Sequence, residues 1–160
     1  MAGGSQRGIP PMPEVGREHT FEIDLEWQGG RLGAGTVRAG GMQTGVSVPA
    51  SMGGPGSGTN PEELLASAAA TCYAITLAAL LERMRLPLAA DIALRSQLTV
   101  DVGPPLRVVR LVHRPTVRLA RGADVERARR AAVQAEEYCL VSRALRGNVE
   151  ILVEPDIRSD

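Results

Sequence analysis

The stretch from Asn60 to Arg85 constrains this chain more than any other. It opens Asn60-Pro61-Glu62-Glu63, continues Leu64-Leu65-Ala66-Ser67-Ala68-Ala69-Ala70-Thr71-Cys72-Tyr73-Ala74, and goes on through Leu77, Leu80, Leu81 and Met84. Asn60 is a strong N-cap, Pro61 suits the first helical position, and Glu63 follows at capping-box spacing. Pro87 sets the stop. The predicted helix is apolar nearly all round, so it must be buried on most sides, at a domain centre or in a subunit interface. With only Phe21, Trp27, Tyr73 and Tyr138 as aromatics among 160 residues, aliphatic and alanine packing has to build the core around it.

The rest of the chain supplies short elements to pack on that helix. Residues 1–17, rich in Gly, Pro and Ser, are expected to be a flexible N-terminal tail, and residues 18–160 a single domain. Phe21 to Trp27 alternates apolar and acidic residues, the period of a half-buried strand, before Gly29-Gly30 turns the chain. Two shorter strands are predicted near 35–39 and 42–48, and Gly53-Gly54-Pro55-Gly56-Ser57-Gly58 reads as a loop. Ile92, Leu94, Leu98 and Val100 mark the next strand, and Val108 to Leu119 another, bent at Pro115. Asp124 caps a helix with the close-packing stripe Ala128, Ala131, Ala132 and Ala135. A short helix follows Cys139 and stops at Gly147, and Val149, Ile151 and Val153 make a last strand. The order β-β-β-α-β-β-α-α-β indicates an α+β fold, antiparallel sheet packed on helices.

Charge and residue usage exclude several function classes. The formal net charge is zero, which argues against a nucleic-acid or anionic-membrane surface. Met1 to Pro13 lacks the apolar core of a signal peptide, and no apolar stretch is expected to reach the ~18 charge-free residues of a membrane span. A cytoplasmic protein is expected. All 18 basic residues are Arg. Without Lys there is no Schiff-base chemistry and no lysine-dependent phosphate loop, and Glu62 and Glu63 after the glycine loop would repel an anion. Those two carboxylates can favour the helix dipole by ~0.3–1 kcal/mol, or orient a cation. His19 and His113, the two histidines, have no nucleophile motif nearby.

Two cysteines remain, Cys72 inside the apolar helix and Cys139 at the mouth of a later one. Two Cys and two His far apart in sequence make no zinc motif, and no CxxC is present. Both thiols could simply be small buried hydrophobes. Cys72 lies ten residues past Glu62, ~15 Å along the helix, beyond the reach of the N-terminal dipole. Burial alone would leave it inert, whereas an arginine delivered from a turn could hold it as thiolate. Arg31, after Gly29-Gly30, is the best placed, and Arg38 is the alternative.

Gly29-Gly30-Arg31, the approach Met52 to Gly58, Thr59-Asn60-Pro61-Glu62 with Cys72, and Cys139-Leu140-Val141-Ser142 through Arg146-Gly147-Asn148-Val149 together resemble the OsmC/Ohr family of osmotically inducible and organic hydroperoxide resistance proteins. The resemblance covers roughly residues 20–155. Leu140 stands where many members have proline, and Tyr73 where phenylalanine is common. The resemblance implies an OsmC-like fold, antiparallel sheets wrapped around long central helices in an intertwined homodimer. It also implies a peroxiredoxin-like peroxidase that needs no metal or other cofactor. Cys72 matches the peroxidatic cysteine, Cys139 the resolving one, Arg31 the activating arginine, and Glu62 the carboxylate that orients it. The implied substrate is an organic hydroperoxide, with hydrogen peroxide slower, and the implied reductant is a dithiol, typically on a lipoylated protein. The competing expectation is a small-ligand or partner-binding protein on the same fold, its cysteines buried for packing.

Overall fold

A computed structural model describes residues 18–159 of the chain; the expected tail, 1–17, lies outside the described residues. The long helix α1 (Pro61–Arg83) begins as its caps dictate. Asn60 is extended, with φ −141° and ψ 167°, and its side chain accepts from the Glu63 N–H at 2.9 Å. That satisfies one of the amides that a first turn leaves without a helical partner. The Glu63 carboxylate accepts from the Thr59 hydroxyl at 2.7 Å, tying the cap to the approaching loop. The helix closes two residues before the expected end. Arg85 takes a left-handed φ of 56°, so the Leu86 N–H reaches the Leu81 carbonyl and the Arg85 N–H that of Glu82, both at 2.9 Å.

One expectation is corrected by α1 itself. Leu64–Leu81 is free of charged residues, and the helix is long and apolar enough to cross a membrane by length and composition. Its apolarity has another use here. Ala69, Tyr73, Leu77 and Leu81 form a buried stripe along the core, and each of the three large side chains contributes about 1.5–3 kcal/mol by leaving water. Helix α2 (Val125–Tyr138), capped by Asp124 accepting from the Arg127 N–H at 2.9 Å, turns Ala128, Ala131, Ala132 and Ala135 onto that stripe. Alanines let the two helix backbones approach closely. The short helix α3 (Leu140–Leu145) follows at once, with Cys139 serving as C-cap of α2 and N-cap of α3.

Two sheets flank the helices. Strands β1 (Asp24–Gln28), β2 (Ala34–Ala39) and β3 (Met42–Ser47) form an antiparallel meander. The first strand is present, but it is exposed along its whole length rather than half-buried. Ile23 just before the strand and Leu25 within it are 69% and 58% exposed, and Trp27, which lies against Gly35, is still 42% exposed. The glycine loop after β3 acts as an extra rung on it. The Thr59 N–H donates to the Gly45 carbonyl at 2.9 Å, and the Ser47 N–H to that of Thr59 at 3.0 Å. At Gly58, with φ 72°, a Cβ would run into the Gly45 carbonyl, so the rung requires glycine.

The second sheet contains β4 (Ala93–Asp101), β5 (Arg107–Leu119), β6 (Glu150–Val153) and β7 (Asp156–Ser159). Strand β4 turns Leu94, Ser96, Leu98 and Val100 inward and pairs antiparallel with β5, whereas β6 and β7 pair with β5 in parallel. The sheet is therefore mixed. Strand β5 runs unbroken for 13 residues through Pro115. What changes there is the neighbour. β6 pairs with β5 up to His113 and β7 from Thr116 onward, and Pro115, with no N–H to give, falls in the interval. Strand β7, not expected from sequence, carries Ile157 into the core opposite Val117.

Candidate functional site

Folding brings Cys72 and Cys139 together. Cys72 lies on the flank of α1 beside the buried stripe, and Cys139, fully buried, sits at the joint where α2 gives way to α3. Both are free thiols. Their environments push them in opposite directions. Burial alone would raise the Cys72 thiol, but the Cys139 thiol, the backbone amides of Val141 and Leu140, and the Thr76 hydroxyl favour its thiolate, leaving its pKa below the ordinary value. Burial pushes the Cys139 thiol up, and the neighbouring Cys72 adds to that, against partial relief from Ser142. Of the pair, Cys72 is the one whose surroundings favour the thiolate, and Cys139 the one whose surroundings favour the thiol.

The amides that hold Cys72 are the part sequence reasoning missed. The dipole at the start of α1 is indeed too far away, yet the first amides of α3 arrive from another part of the chain. The visible signal was Cys139 at a helix mouth. Only the packing of α3 against α1 says which sulfur those amides serve.

The two charged candidates stand apart from the cysteines in the single chain. Arg31 is exposed in the β1–β2 turn, which is held by the Gly33 N–H on the Gly30 carbonyl at 2.8 Å and by the Trp27 indole N–H on the same oxygen at 3.2 Å. No hydrogen bond or ion pair joins Arg31 or Glu62 to either cysteine, or to each other, among the described residues. Arg38 is engaged elsewhere, pairing with Glu26 at 3.0 Å and Gln43 at 3.2 Å on the small sheet. Glu62 faces a cavity of about 440 Å³ walled by Pro49, Met52, Leu98 and Val100, and its Oε2 is buried without a hydrogen-bond partner. A buried carboxylate oxygen in that state is costly until a donor or cation reaches it.

A larger hollow, about 830 Å³, opens on the outer face of α1 beside Cys72, lined by Phe21, Met42, Leu64, Ala68 and Ile75. It is almost wholly apolar, the surface an organic molecule would displace water from. Among the described residues, no three His, Cys, Asp or Glu side chains gather as a metal site requires.

Behind Cys72 the next residue anchors the helix. The Tyr73 hydroxyl donates to the Ala132 carbonyl of α2 at 2.9 Å, and its ring stacks on His113, centroids 4.6 Å apart and planes 16° from parallel. His113 is fully buried in β5, with Nδ1 2.7 Å from the Ser96 hydroxyl and Nε2 without a partner. Burial holds its pKa below 6.5, with Glu136 opposing weakly. The unfolded chain therefore binds this proton at a higher pH than the folded one, and stability falls as pH drops through about 6.5. Urea midpoints measured at about pH 7.5 and 5.5 should show that loss, and His113→Phe, which keeps a stacked ring without a titrating group, should show a smaller one.

The OsmC-like protein family model matches residues 54–154, a span that contains both cysteines and Glu62. The uncharacterized protein YmaD of Bacillus subtilis is 41% identical over 145 residues, covering 88% of this chain and 96% of that one. The organic hydroperoxide resistance protein OhrB of the same organism is 28% identical over 137 residues, covering 84% of this chain and 96% of OhrB. The crystal structure of OhrB superposes with a TM-score of 0.65 at 25% identity, covering 85% of this chain and 98% of that chain. An organic hydroperoxide resistance protein OsmC from Legionella pneumophila shares the fold, with a TM-score of 0.71 at 23% identity over 87% of this chain and 99% of that one. A match across both halves of the cysteine site, and a relative alike over nearly its full length, make this chain a member of the OsmC-like protein family.

Proposed function

We propose that this protein is a thiol peroxidase that reduces organic hydroperoxides in oxidative-stress defence. The observation that carries the reading is the unequal cysteine pair, Cys72 held toward the thiolate by the amides of Val141 and Leu140 while the Cys139 thiol stays protonated against it. The name of OhrB, a relative across most of the chain, supports the choice of substrate.

The Cys72 thiolate attacks the outer oxygen of R–O–O–H. The O–O bond breaks, the S–O bond forms, and the leaving alkoxide takes a proton to depart as alcohol, leaving Cys72 as a sulfenic acid. The Cys139 sulfur then attacks the Cys72 sulfur, its proton leaving with the hydroxyl as water, and a disulfide forms. A dithiol donor, of the kind carried by a lipoylated protein, returns both electrons and both protons by exchange. The organic group R rests in the apolar hollow beside Cys72. Free thiols and a dithiol donor suit a reducing compartment such as the cytoplasm.

Glu62 and Arg31 complete the site when two copies associate. The buried Glu62 oxygen needs a cation, Arg31 is an uncommitted one on a projecting turn, and the uncovered faces of β1 and α1 give a second copy an apolar surface to bury. Sedimentation equilibrium at micromolar concentration should accordingly give twice the chain mass of 16.9 kDa. A stable monomer would remove the basis for this arrangement.

Thiol titration tests the central claim. One equivalent of cumene hydroperoxide should take the chain from two free thiols to none, and peptide mapping should recover a Cys72–Cys139 crosslink within one chain. Retention of both thiols would identify a binding protein rather than an enzyme.

A further inference from the structure

Three buried side-chain polar atoms have no hydrogen-bond partner among the described residues: Glu62 Oε2, His113 Nε2 and Ser142 Oγ. The first faces the cavity at the start of α1, and the second belongs to the ring stacked on Tyr73. Ser142, fully buried in α3, is the one set beside a cysteine sulfur. A serine inside a helix often returns its hydroxyl to the carbonyl four residues back, and this one does not. A buried hydroxyl left unpaired lowers stability, so alanine would fill the position at no cost to the fold.

Position and chemistry both point to Cys139. That residue is the N-cap of α3 and Ser142 the third residue of the helix, the place from which a side chain reaches back to the cap. The cap's N–H is already spent on the carbonyls of Ala135 at 3.0 Å and Glu136 at 3.3 Å. What remains there for the serine is the sulfur. In the resting pair burial, and after it the neighbouring Cys72, keep the Cys139 thiol protonated. Oxidation changes the balance, because a Cys72 sulfenic acid is neutral and no longer repels a second thiolate. Ser142 is then the side chain that works against burial. The other groups at the joint do not compete above about pH 6.5. Tyr73 of α1 spends its hydroxyl on the Ala132 carbonyl, Glu136 of α2 pairs with Arg146 at 2.8 Å, Arg143 of α3 is exposed, and buried His113 of β5 is neutral.

We infer that the Ser142 hydroxyl donates to the Cys139 sulfur during disulfide closure, so that the second step of the cycle depends on it and the first does not. In that step the Cys139 sulfur supplies the electron pair of the new S–S bond, and the S–O bond of Cys72 breaks. The hydroxide leaves with the Cys139 proton as water, and Ser142 keeps its own proton throughout. This rests on the peroxidase reading and deepens it.

The test is Ser142→Ala, quenched at intervals after one equivalent of cumene hydroperoxide and read by intact mass as sulfenic acid or disulfide. Sulfenic acid should form within a few-fold of the parent rate and then accumulate, with closure about tenfold slower near pH 7, the scale of one charge-assisted hydrogen bond. The pH at which closure is half-maximal should rise by about one unit. The urea midpoint should equal or exceed the parent's. A second readout needs no peroxide: a Cys72→Ser chain labelled with ¹³C at cysteine Cβ reports Cys139 alone, and adding Ser142→Ala should raise its titration midpoint by about one unit. Parent-like closure, an unshifted midpoint, or an equal loss in both steps, which marks a tilted α3, would overturn the inference. A parent protein that keeps both thiols with cumene hydroperoxide, while the labelled midpoint still rises, would refute the peroxidase and leave the hydrogen bond standing.

Discussion

Cys72→Ser abolishes hydroperoxide reduction, with an expected loss of at least about three orders of magnitude, the scale on which removal of a nucleophile acts. Cys139→Ser has a different signature. Its first oxidation proceeds within a few-fold of the parent, because the serine hydroxyl can donate to the Cys72 thiolate where the Cys139 thiol did, and the amides of Val141 and Leu140 still favour that thiolate. It then stalls as sulfenic acid and, with excess peroxide, passes on to sulfinic acid. Stopped-flow kinetics followed by intact mass spectrometry separates the two variants. A Cys72→Ser protein that still turns over, or a Cys139→Ser protein that cycles normally, would reverse or dissolve the assigned roles.

Arg31→Ala carries the second largest expected effect, about two orders of magnitude in the rate of Cys72 oxidation. The figure is the typical cost of losing one preorganised group that steadies charge on a departing oxygen. The physical ground is Glu62, whose Oε2 is buried with no partner in the single chain and so favours the approach of a cation. Glu62→Gln should cost less, since the guanidinium keeps its charge and loses only its orientation. Arg38→Ala serves as the control, because that side chain is already paired with Glu26 and Gln43 on the small sheet. A parent-like rate for Arg31→Ala, with a large loss for Arg38→Ala, would move the activating role to the second arginine.

What could be read from the sequence was whatever is encoded locally. Asn60 and Pro61 start a helix, Asp124 starts another, and the alanine stripe of α2 belongs against a core, all within a few residues of each other in the chain. The misses depend on partners distant in sequence. Strand β7 has one apolar residue in four and becomes a strand only because β5 offers an open edge beyond Pro115. The alternation at β1 encodes a strand but not its burial, since burial needs a surface that the described chain does not supply. At the candidate site, the two cysteines were visible as chemistry, but the amides beside Cys72 come from the start of α3, 68 and 69 residues further along (140 − 72 and 141 − 72). The charge-free length of α1, Leu64 to Leu81, is by contrast written locally in the sequence.

Cys139 ends one helix and begins the next. Its N–H donates to the Ala135 carbonyl of α2 at 3.0 Å, and its carbonyl accepts from the Arg143 N–H of α3 at 2.9 Å. The sulfur of the second thiol and the amides beside the first are thus mounted on one rigid piece, since Leu140 and Val141 follow directly. For a peroxidase built this way, activation and resolution are not independent traits. A substitution that tilts α3 shifts both together, so rates of sulfenic acid formation and of disulfide closure should rise and fall in step across a panel of α3 variants that keep Ser142. An engineer seeking to speed one step at the expense of the other would have to rebuild the joint rather than adjust either side chain.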